Sequence, residues 1–173
     1  AISLFGISFA TLLPAWAVDI LHGDSQTFGY LSAARASGAV LSALMLASLG
    51  RFRFKGRLLT LGTWIIPPLL FSFAFVRSFP LSLLLLAAVG FGTVLVFNLS
   101  NTLVQTLTPD ALRGRVMGAY GLTFFGLMPL GGLLAGGGAQ LLGAPVAVMI
   151  GASACLVLAV TLYALVPRLR ALE

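Results

Sequence analysis

Long apolar stretches, separated by short polar links, fill this sequence from one end to the other. A helix that crosses the hydrocarbon core of a bilayer needs about 20 predominantly apolar residues. Only 8% of the residues are charged, against roughly 25% in an average soluble domain, whose exterior must face water. The sequence therefore predicts an all-α integral membrane bundle of six transmembrane helices.

The limits of the six spans follow from the apolar runs. Strands of a closed barrel would need alternating segments of about ten residues, which the sequence lacks. Pro67 and Pro68 predict a kink in the third span. The predicted spans cover residues 2–20, 27–49, 58–76, 81–106, 108–140 and 145–166.

Polar residues at two of the links predict how helices begin. Asp24, Ser25 or Thr27 is available as the N-cap of the second span. The run Thr108-Pro109-Asp110 has the form of an N-cap, a proline at the first helical position and an acid in the first turn. We therefore expect the fifth span to begin there.

The basic residues fix the predicted orientation. Under this assignment Arg77 alone lies on one side, Arg35 lies within the second span, and eight Lys and Arg residues lie on the other side. Because cytoplasmic loops carry the excess of Lys and Arg, both ends of this segment are predicted to be cytoplasmic. The net charge of +6 thus reflects topology, and nucleic acid is not an expected partner. The eight residues are Arg51, Arg53, Lys55, Arg57, Arg113, Arg115, Arg168 and Arg170.

Arg35 is the strongest candidate for a functional residue. It lies about 12 Å into the second span at the helical rise. An Arg at that depth costs at least about 2.5–3.5 kcal/mol on insertion scales, so it should face a cavity or a partner. We predict that Arg35 lines a substrate path. The alternative is that it reaches outward or pairs with a backbone carbonyl or an acid elsewhere.

Further cavity candidates lie on the fourth and fifth spans. Asn98, Asn101 and Gln105 are spaced by three and four residues and therefore share one helix face. Amides in lipid either bridge helices or line a wet cavity. Tyr120, Phe124 and Phe125 are predicted to line the same cavity, with plain packing as the alternative.

Small residues recur at four-residue intervals, which allows helices to approach closely in lipid. The pair Gly114 and Gly118 and the pair Gly132 and Gly136 are expected to pack against neighbouring helices. Chemistry on a substrate is not expected, because the sequence lacks paired carboxylates, metal-ligand motifs and phosphate-binding loops. No cofactor and no metal are predicted, and the chain is not predicted to be an enzyme.

The stretch from Thr108 to Tyr120, preceded by Asn101 and Gln105 and followed by Pro129-Leu130-Gly131, resembles the major facilitator superfamily. It is similar in particular to the branch of bacterial siderophore and drug exporters, the transmembrane secretion effectors. The resemblance covers nearly the whole chain and implies its C-terminal half, helices seven to twelve, built as two inverted three-helix repeats. Since the sequence begins inside an apolar run, we expect an N-terminal six-helix half upstream.

The resemblance also implies a location in the inner membrane of a bacterium and a cytoplasmic gate, in which charge pairs between helices hold the cytoplasmic face shut. In the superfamily an Asp-Arg-x-Gly-Arg motif follows the second helix of each half, and here residues 50–57 occupy that place without the Asp. The implied gate residues are Arg51, Gly56, Arg57, Asp110, Arg113, Gly114 and Arg115.

The implied function is proton-coupled efflux of small amphipathic molecules by alternating access. The proton site is expected in the N-terminal half, because no acid lies deep in these spans. A membrane scaffold of the same fold that transports nothing is the alternative, and an intramembrane enzyme is disfavoured.

Overall fold

The computed structural model describes residues 2–49 and 55–165, and within these ranges the chain forms six helical spans. All six are long and apolar enough to cross a membrane, which confirms the predicted all-α membrane bundle. The predicted gate residue Arg51 lies outside the described residues, as do Arg53, Arg168 and Arg170. After the first span, α1, the helices are α2 (Ser25–Leu49), α3 (Lys55–Phe75), α4 (Phe79–Leu107), α5 (Asp110–Leu142) and α6 (Ala144–Leu165).

The first span, α1 (residues 2–20), changes its helical pitch along its length. The stretches Ile2–Ile7 and Trp16–Ile20 are π-helical, Ser8–Leu12 is a 3-10 helix, and Leu13–Ala15 is a single α-helical turn. The Ser8 hydroxyl donates to the Ser3 carbonyl five residues earlier, at 3.1 Å, as a wide helical turn allows. The apolar pattern predicted the extent of this span but not its irregular pitch.

The start of α2 follows one of the three predicted caps. The Thr27 backbone N–H donates to the Asp24 carboxylate at 3.0 Å, and the Asp24 N–H donates to the Thr27 hydroxyl at 3.3 Å. This reciprocal pair satisfies two backbone donors that a helix start leaves open. The bond from the Thr27 N–H lowers the pKa of the Asp24 carboxyl below its ordinary value of 3.8.

The start of α5 differs from its prediction by one residue. Pro109 occupies the N-cap position and Asp110 is the first helical residue. Thr108 instead ends α4, where its hydroxyl donates to the Val104 carbonyl at 2.5 Å. A threonine in the last turn of a helix satisfies its own hydroxyl with the carbonyl four residues earlier, so it is not available to cap the next helix. The prolines Pro67, Pro68 and Pro129 lie inside continuous helices.

Close packing between α2 and α4 depends on two glycines. An added Cβ at Gly38 would lie 1.8 Å from the Ala87 carbonyl oxygen, and one at Gly90 would lie 2.0 Å from the Arg35 carbonyl oxygen. The two backbones therefore touch where the helices cross, as small residues permit in lipid. In the same way, α1 packs on α5 at Gly131, whose added Cβ would lie 2.1 Å from the Leu4 carbonyl oxygen.

The small-residue pairs that the sequence singled out do not make these contacts. Added Cβ atoms at Gly114, Gly118 and Gly136 would meet nothing within 4 Å among the described residues, and at Gly132 only the Thr11 methyl group lies near. Spacing alone does not show which side of a helix faces a neighbouring helix. Glycines are needed only on the side where two helix backbones come close.

The hydrophobic core occupies one end of the bundle. Its members include Trp16 of α1, Phe73 of α3 and Val148 of α6, all buried. The Trp16 and Phe73 rings stack with centroids 4.4 Å apart. This end also carries Arg77, whereas Arg57, Arg113 and Arg115 mark the opposite end, called here the arginine-rich end. The bundle is thus densely packed away from the arginine-rich end.

Candidate functional site

A cavity of about 710 Å³ lies in the half of the bundle toward the arginine-rich end. Five helices contribute to its walls. Ser3 of α1 lines it, together with side chains from residues 56–67 of α3, 96–108 of α4, 116–127 of α5 and 155–163 of α6. Its volume is within the range of about 300–1,000 Å³ that is usual for small-molecule sites. The core described above occupies the other end, so the described helices pack densely at one end and leave a cavity toward the other.

The lining is apolar and rich in aromatic rings. Trp64 of α3, Phe97 of α4, Tyr120 and Phe124 of α5, and Tyr163 of α6 all contribute. Among the residues that the structure describes, no charged side chain lines the cavity. The site can therefore hold an apolar or aromatic group, but its described wall offers no counter-charge to an ion.

Three of these rings form a continuous wall between α4 and α5. The Phe97 and Phe124 centroids are 4.5 Å apart, and Tyr120 lies 6.4 Å from Phe97 and 6.3 Å from Phe124. These separations are those of favourable aromatic pairs. Opposite them, Trp64 and Tyr163 meet edge to face at 5.8 Å and join α3 to α6.

Threonines supply half of the hydroxyl groups that line the cavity, and serines and tyrosines supply the rest. The hydroxyls of Thr60, Thr63 and Thr123 donate to the carbonyls of Gly56, Leu59 and Ala119 at 3.1, 2.8 and 2.8 Å. Each carbonyl lies four residues earlier in the same helix. The hydroxyl protons are therefore used within the helices, while the oxygens retain lone pairs that can accept a hydrogen bond.

The structure brings two of the seven predicted cavity residues to this cavity. Tyr120 and Phe124 line it, whereas Arg35, Asn98, Asn101, Gln105 and Phe125 do not. Asn98 lies about three helical turns after Ala87, on the side of α4 that meets α2.

The other two amides continue that side toward the arginine-rich end. The Gln105 amide nitrogen donates to the Asn101 side-chain oxygen. Arg35 is half-buried, and its backbone carbonyl touches Gly90. The four polar residues thus follow the seam between α2 and α4, which is separate from the aromatic cavity.

The implied gate residues that the structure describes lie at the start of α3, beside the cavity, and at the start of α5. Gly56 is buried and lines the cavity, and Arg57 is exposed in the first turn of α3. Asp110 and Arg113 form an ion pair at 2.5 Å within the first turn of α5. Gly114 and Arg115 follow, both exposed. The pair is made within one helix, whereas the resemblance implied charge pairs between helices.

Several lining residues were not anticipated from the sequence. Phe97, Trp64 and Tyr163 come from three different helices, and Cys155 contributes a buried thiol to the same cavity. The aromatic content of α3 and α6 was visible in the sequence. Which rings share a cavity depends on how the helices are rotated relative to one another, and no local signal gives that rotation.

Six bilayer-length apolar helices, with arginines near their ends and a cavity between them, define a multi-pass membrane protein whose surroundings are a lipid bilayer. Over residues 1–173 the sequence matches the family of transmembrane secretion effectors, and the chain belongs to this family of the major facilitator superfamily.

The chain is also similar in sequence to a curated protein. The chain is 30% identical, over 127 residues, to the multidrug efflux pump Tap of Mycolicibacterium fortuitum, and the match covers 73% of this chain and 31% of Tap. The chain thus spans about a third of the length of this relative. No solved structure matches the chain.

Proposed function

We propose that this chain is the C-terminal six-helix half of an exporter of small amphipathic molecules of the drug or siderophore class. In this proposal export is coupled to protons and proceeds by alternating access. The chain itself binds substrate and catalyses no chemical reaction. The family supports this assignment, as does the similarity to a protein described as a multidrug efflux pump.

The observation that carries the proposal is the asymmetric packing of the bundle. An apolar cavity of about 710 Å³ lies toward the arginine-rich end, while a buried core fills the opposite end. If the arginine-rich end is cytoplasmic, as the distribution of basic residues predicts, the cavity takes up molecules from the cytoplasmic side. Such a site suits an exporter that collects amphipathic molecules inside the cell.

The helix pairing supports two inverted three-helix repeats. Such a repeat relates α1 to α4, α2 to α5 and α3 to α6. If the repeat is present, the contact between α1 and α5 has an equivalent between α4 and α2. In the same way, the contact between α3 and α4 has an equivalent between α6 and α1. All four contacts are present.

The polar seam is proposed to face the N-terminal half. The cavity of about 710 Å³ described above, lined mainly by α3, α4, α5 and α6, is called here the α3–α6 cavity. The polar seam lies along α2 and α4 and does not line this cavity; its residues are Arg35, Asn98, Asn101 and Gln105. An Arg at this depth requires a wet or charged environment, which the interface between two halves would provide. The acids Asp19, Asp24 and Asp110 lie at helix ends or in links, so the proton-binding carboxylate is proposed to belong to the N-terminal half.

The test is dye export from bacteria that lack their own efflux pumps. Cells that express the complete protein and are loaded with ethidium, an amphipathic aromatic dye, should lose fluorescence faster than cells with an empty vector. A protonophore should abolish the difference. If the protein reaches the membrane but the two cell types lose dye at equal rates for every amphipathic dye tried, the exporter proposal is wrong and a scaffold role is favoured.

Variants assign the proposed roles within this chain. Arg35→Ala should reduce export to the level of the empty vector without reducing the amount of protein in the membrane, and Arg35→Lys should retain part of it. If Asp110 belongs to a gate that holds the cytoplasmic face shut, Asp110→Asn should also abolish export. Its control, Asp24→Asn, removes an equal charge at the opposite end and keeps a good N-cap, so it should export normally.

The gate assignment fails if Asp110→Asn exports as well as the wild type. Because Asp110 is exposed and its pair with Arg113 is on the surface, the substitution should change stability by less than about 1 kcal/mol. A loss of export with an unchanged melting temperature therefore identifies a functional role rather than a folding defect.

A further inference from the structure

Aromatic rings from four helices surround one space in the α3–α6 cavity. Phe97, Tyr120 and Phe124 form one wall at separations of 4.5–6.4 Å, and Trp64 and Tyr163 form a pair across the same cavity. Apolar residues in a membrane protein need not be aromatic, since aliphatic chains fill space between helices equally well. The concentration of rings here favours a flat partner that can stack against them.

The hydroxyls of the cavity add a second preference. Thr60, Thr63 and Thr123 have already given their protons to carbonyls of their own helices. A ligand can therefore use these three oxygens only as acceptors, so a ligand that bonds to them brings its own N–H or O–H donor. The described lining holds no charged group that would pair with an ionic ligand, and a charge in such a site is costly without a partner.

We propose that the α3–α6 cavity binds an uncharged planar aromatic group that carries an N–H or O–H donor. This inference rests on the proposed function and specifies which part of a substrate this half recognises. An amphipathic molecule would place its flat aromatic part between the two walls. Its charged part, where it has one, would remain outside the cavity.

Binding to the purified complete protein tests this directly and separately from transport. Acridone is a neutral, planar, fluorescent aromatic molecule with one N–H donor, and its N-methyl derivative lacks the donor. Cyclododecanol is a neutral aliphatic ring that does have a donor. Acridone should bind with a saturable change in its fluorescence, N-methylacridone should bind about 2- to 10-fold more weakly, and cyclododecanol should not displace acridone.

Two neighbouring phenylalanines of α5 provide a matched pair of variants. Phe124 lines the cavity, whereas Phe125 does not and is 63% exposed. Phe124→Leu should weaken acridone binding by about 2- to 10-fold, since it keeps an apolar side chain but removes the ring. Phe97→Leu should do the same, and Phe125→Leu should bind as the wild type does.

Cys155 provides a readout that needs no variant. It is the one cysteine of the chain, is 4% exposed and lines the cavity. Saturating acridone should slow alkylation of this thiol by N-ethylmaleimide, measured by mass spectrometry on the peptide that contains it. Cyclododecanol at the same concentration should leave the rate unchanged.

The outcomes separate this inference from the proposed function. If acridone gives no saturable binding, or if Cys155 is alkylated at the same rate with and without it, the inference is wrong even where dye export is normal. Equal weakening by Phe124→Leu and Phe125→Leu would also contradict it, and equal binding of N-methylacridone would contradict the role of the hydroxyls. Tight acridone binding with no export of any dye would instead support the site and overturn the exporter proposal.

Discussion

Replacing Gly90 by alanine should separate α2 from α4. The added methyl carbon would lie 2.0 Å from the Arg35 carbonyl oxygen, which belongs to the backbone of another helix and cannot rotate away. Real Cβ atoms essentially never approach another heavy atom closer than 3.0 Å. The two helices must therefore move apart by about 1 Å where they cross, a displacement that packed interiors resist.

The expected cost can be estimated from this displacement. Overpacking a closely packed contact costs about 1–3 kcal/mol, and a gap of 0.5–1 Å forfeits roughly a quarter to a half of each dispersion contact across it. Alanine also favours a helix over glycine by about 0.5–1 kcal/mol, which offsets part of the loss. Gly90→Ala should therefore destabilise the protein by about 1–2 kcal/mol.

Gly29→Ala is the control, because its added Cβ would meet nothing within 4 Å among the described residues and it lies on one of the two crossing helices. Melting temperatures of the purified protein in detergent give the comparison. Gly29→Ala should leave stability unchanged or slightly higher, whereas Gly90→Ala should lower it. The double variant Gly38→Ala/Gly90→Ala should cost less than the two single costs added, since one separation accommodates both methyl groups.

The close crossing of α2 and α4 would be refuted if Gly90→Ala melted at or above the temperature of Gly29→Ala. Additive costs in the double variant would show that the two glycines act at independent contacts. Either result would require a different arrangement of these helices.

Three further predictions concern single side chains. Asp24→Ala should lower the melting temperature at neutral pH. The pKa of Asp24 in the folded protein lies below 3.8. The difference in melting temperature from wild type should therefore persist above pH 3.8 and vanish as the pH falls through the folded-state pKa. Arg77→Gln removes a hydrogen bond to the Ala74 carbonyl at 2.9 Å and a cation–π contact with Trp16 at 5.7 Å, and should cost about 1 kcal/mol in a denaturant titration. Ser42→Ala should stabilise by about 1 kcal/mol, since the buried Ser42 hydroxyl finds no hydrogen-bond partner among the described residues; a loss of stability would contradict this.

The spans were predictable because lipid imposes a length and a composition on every crossing segment. The second span was predicted at residues 27–49, and the structure has α2 at Ser25–Leu49. The sixth was predicted at residues 145–166, and the structure has α6 at Ala144–Leu165. Deviations of one to three residues occur where a cap decides the boundary. Asp24 was one of three candidates, and only the reciprocal bonds with Thr27 distinguish it.

The candidate site was only partly predictable. Tyr120 and Phe124 were expected to line a cavity and do so, but the sequence placed them with Asn98, Asn101 and Gln105, which lie on another side of the bundle. A helical pattern shows which residues share one face of one helix. It does not show which faces of different helices meet, because this depends on rotations that arise only when all six helices pack together.

The glycines illustrate the same limit. The repeated pair Gly114 and Gly118 has the spacing that favours helix contact, yet neither approaches another helix among the described residues. Gly90, which has Leu86 and Val94 at the four-residue spacing, nevertheless lies where two backbones touch.

The central claim is that these helices cross a bilayer with the arginine-rich end inside the cell. In a Cys155→Ser background, single cysteines at the exposed positions Ser25, Ser78 and Ala111 should be treated in intact cells with a maleimide that cannot cross membranes. The cysteines at 25 and 78 should react at once, and the one at 111 only after the cells are opened. Immediate labelling at 111, or protection of both 25 and 78, would contradict the predicted orientation and with it the cytoplasmic opening of the cavity.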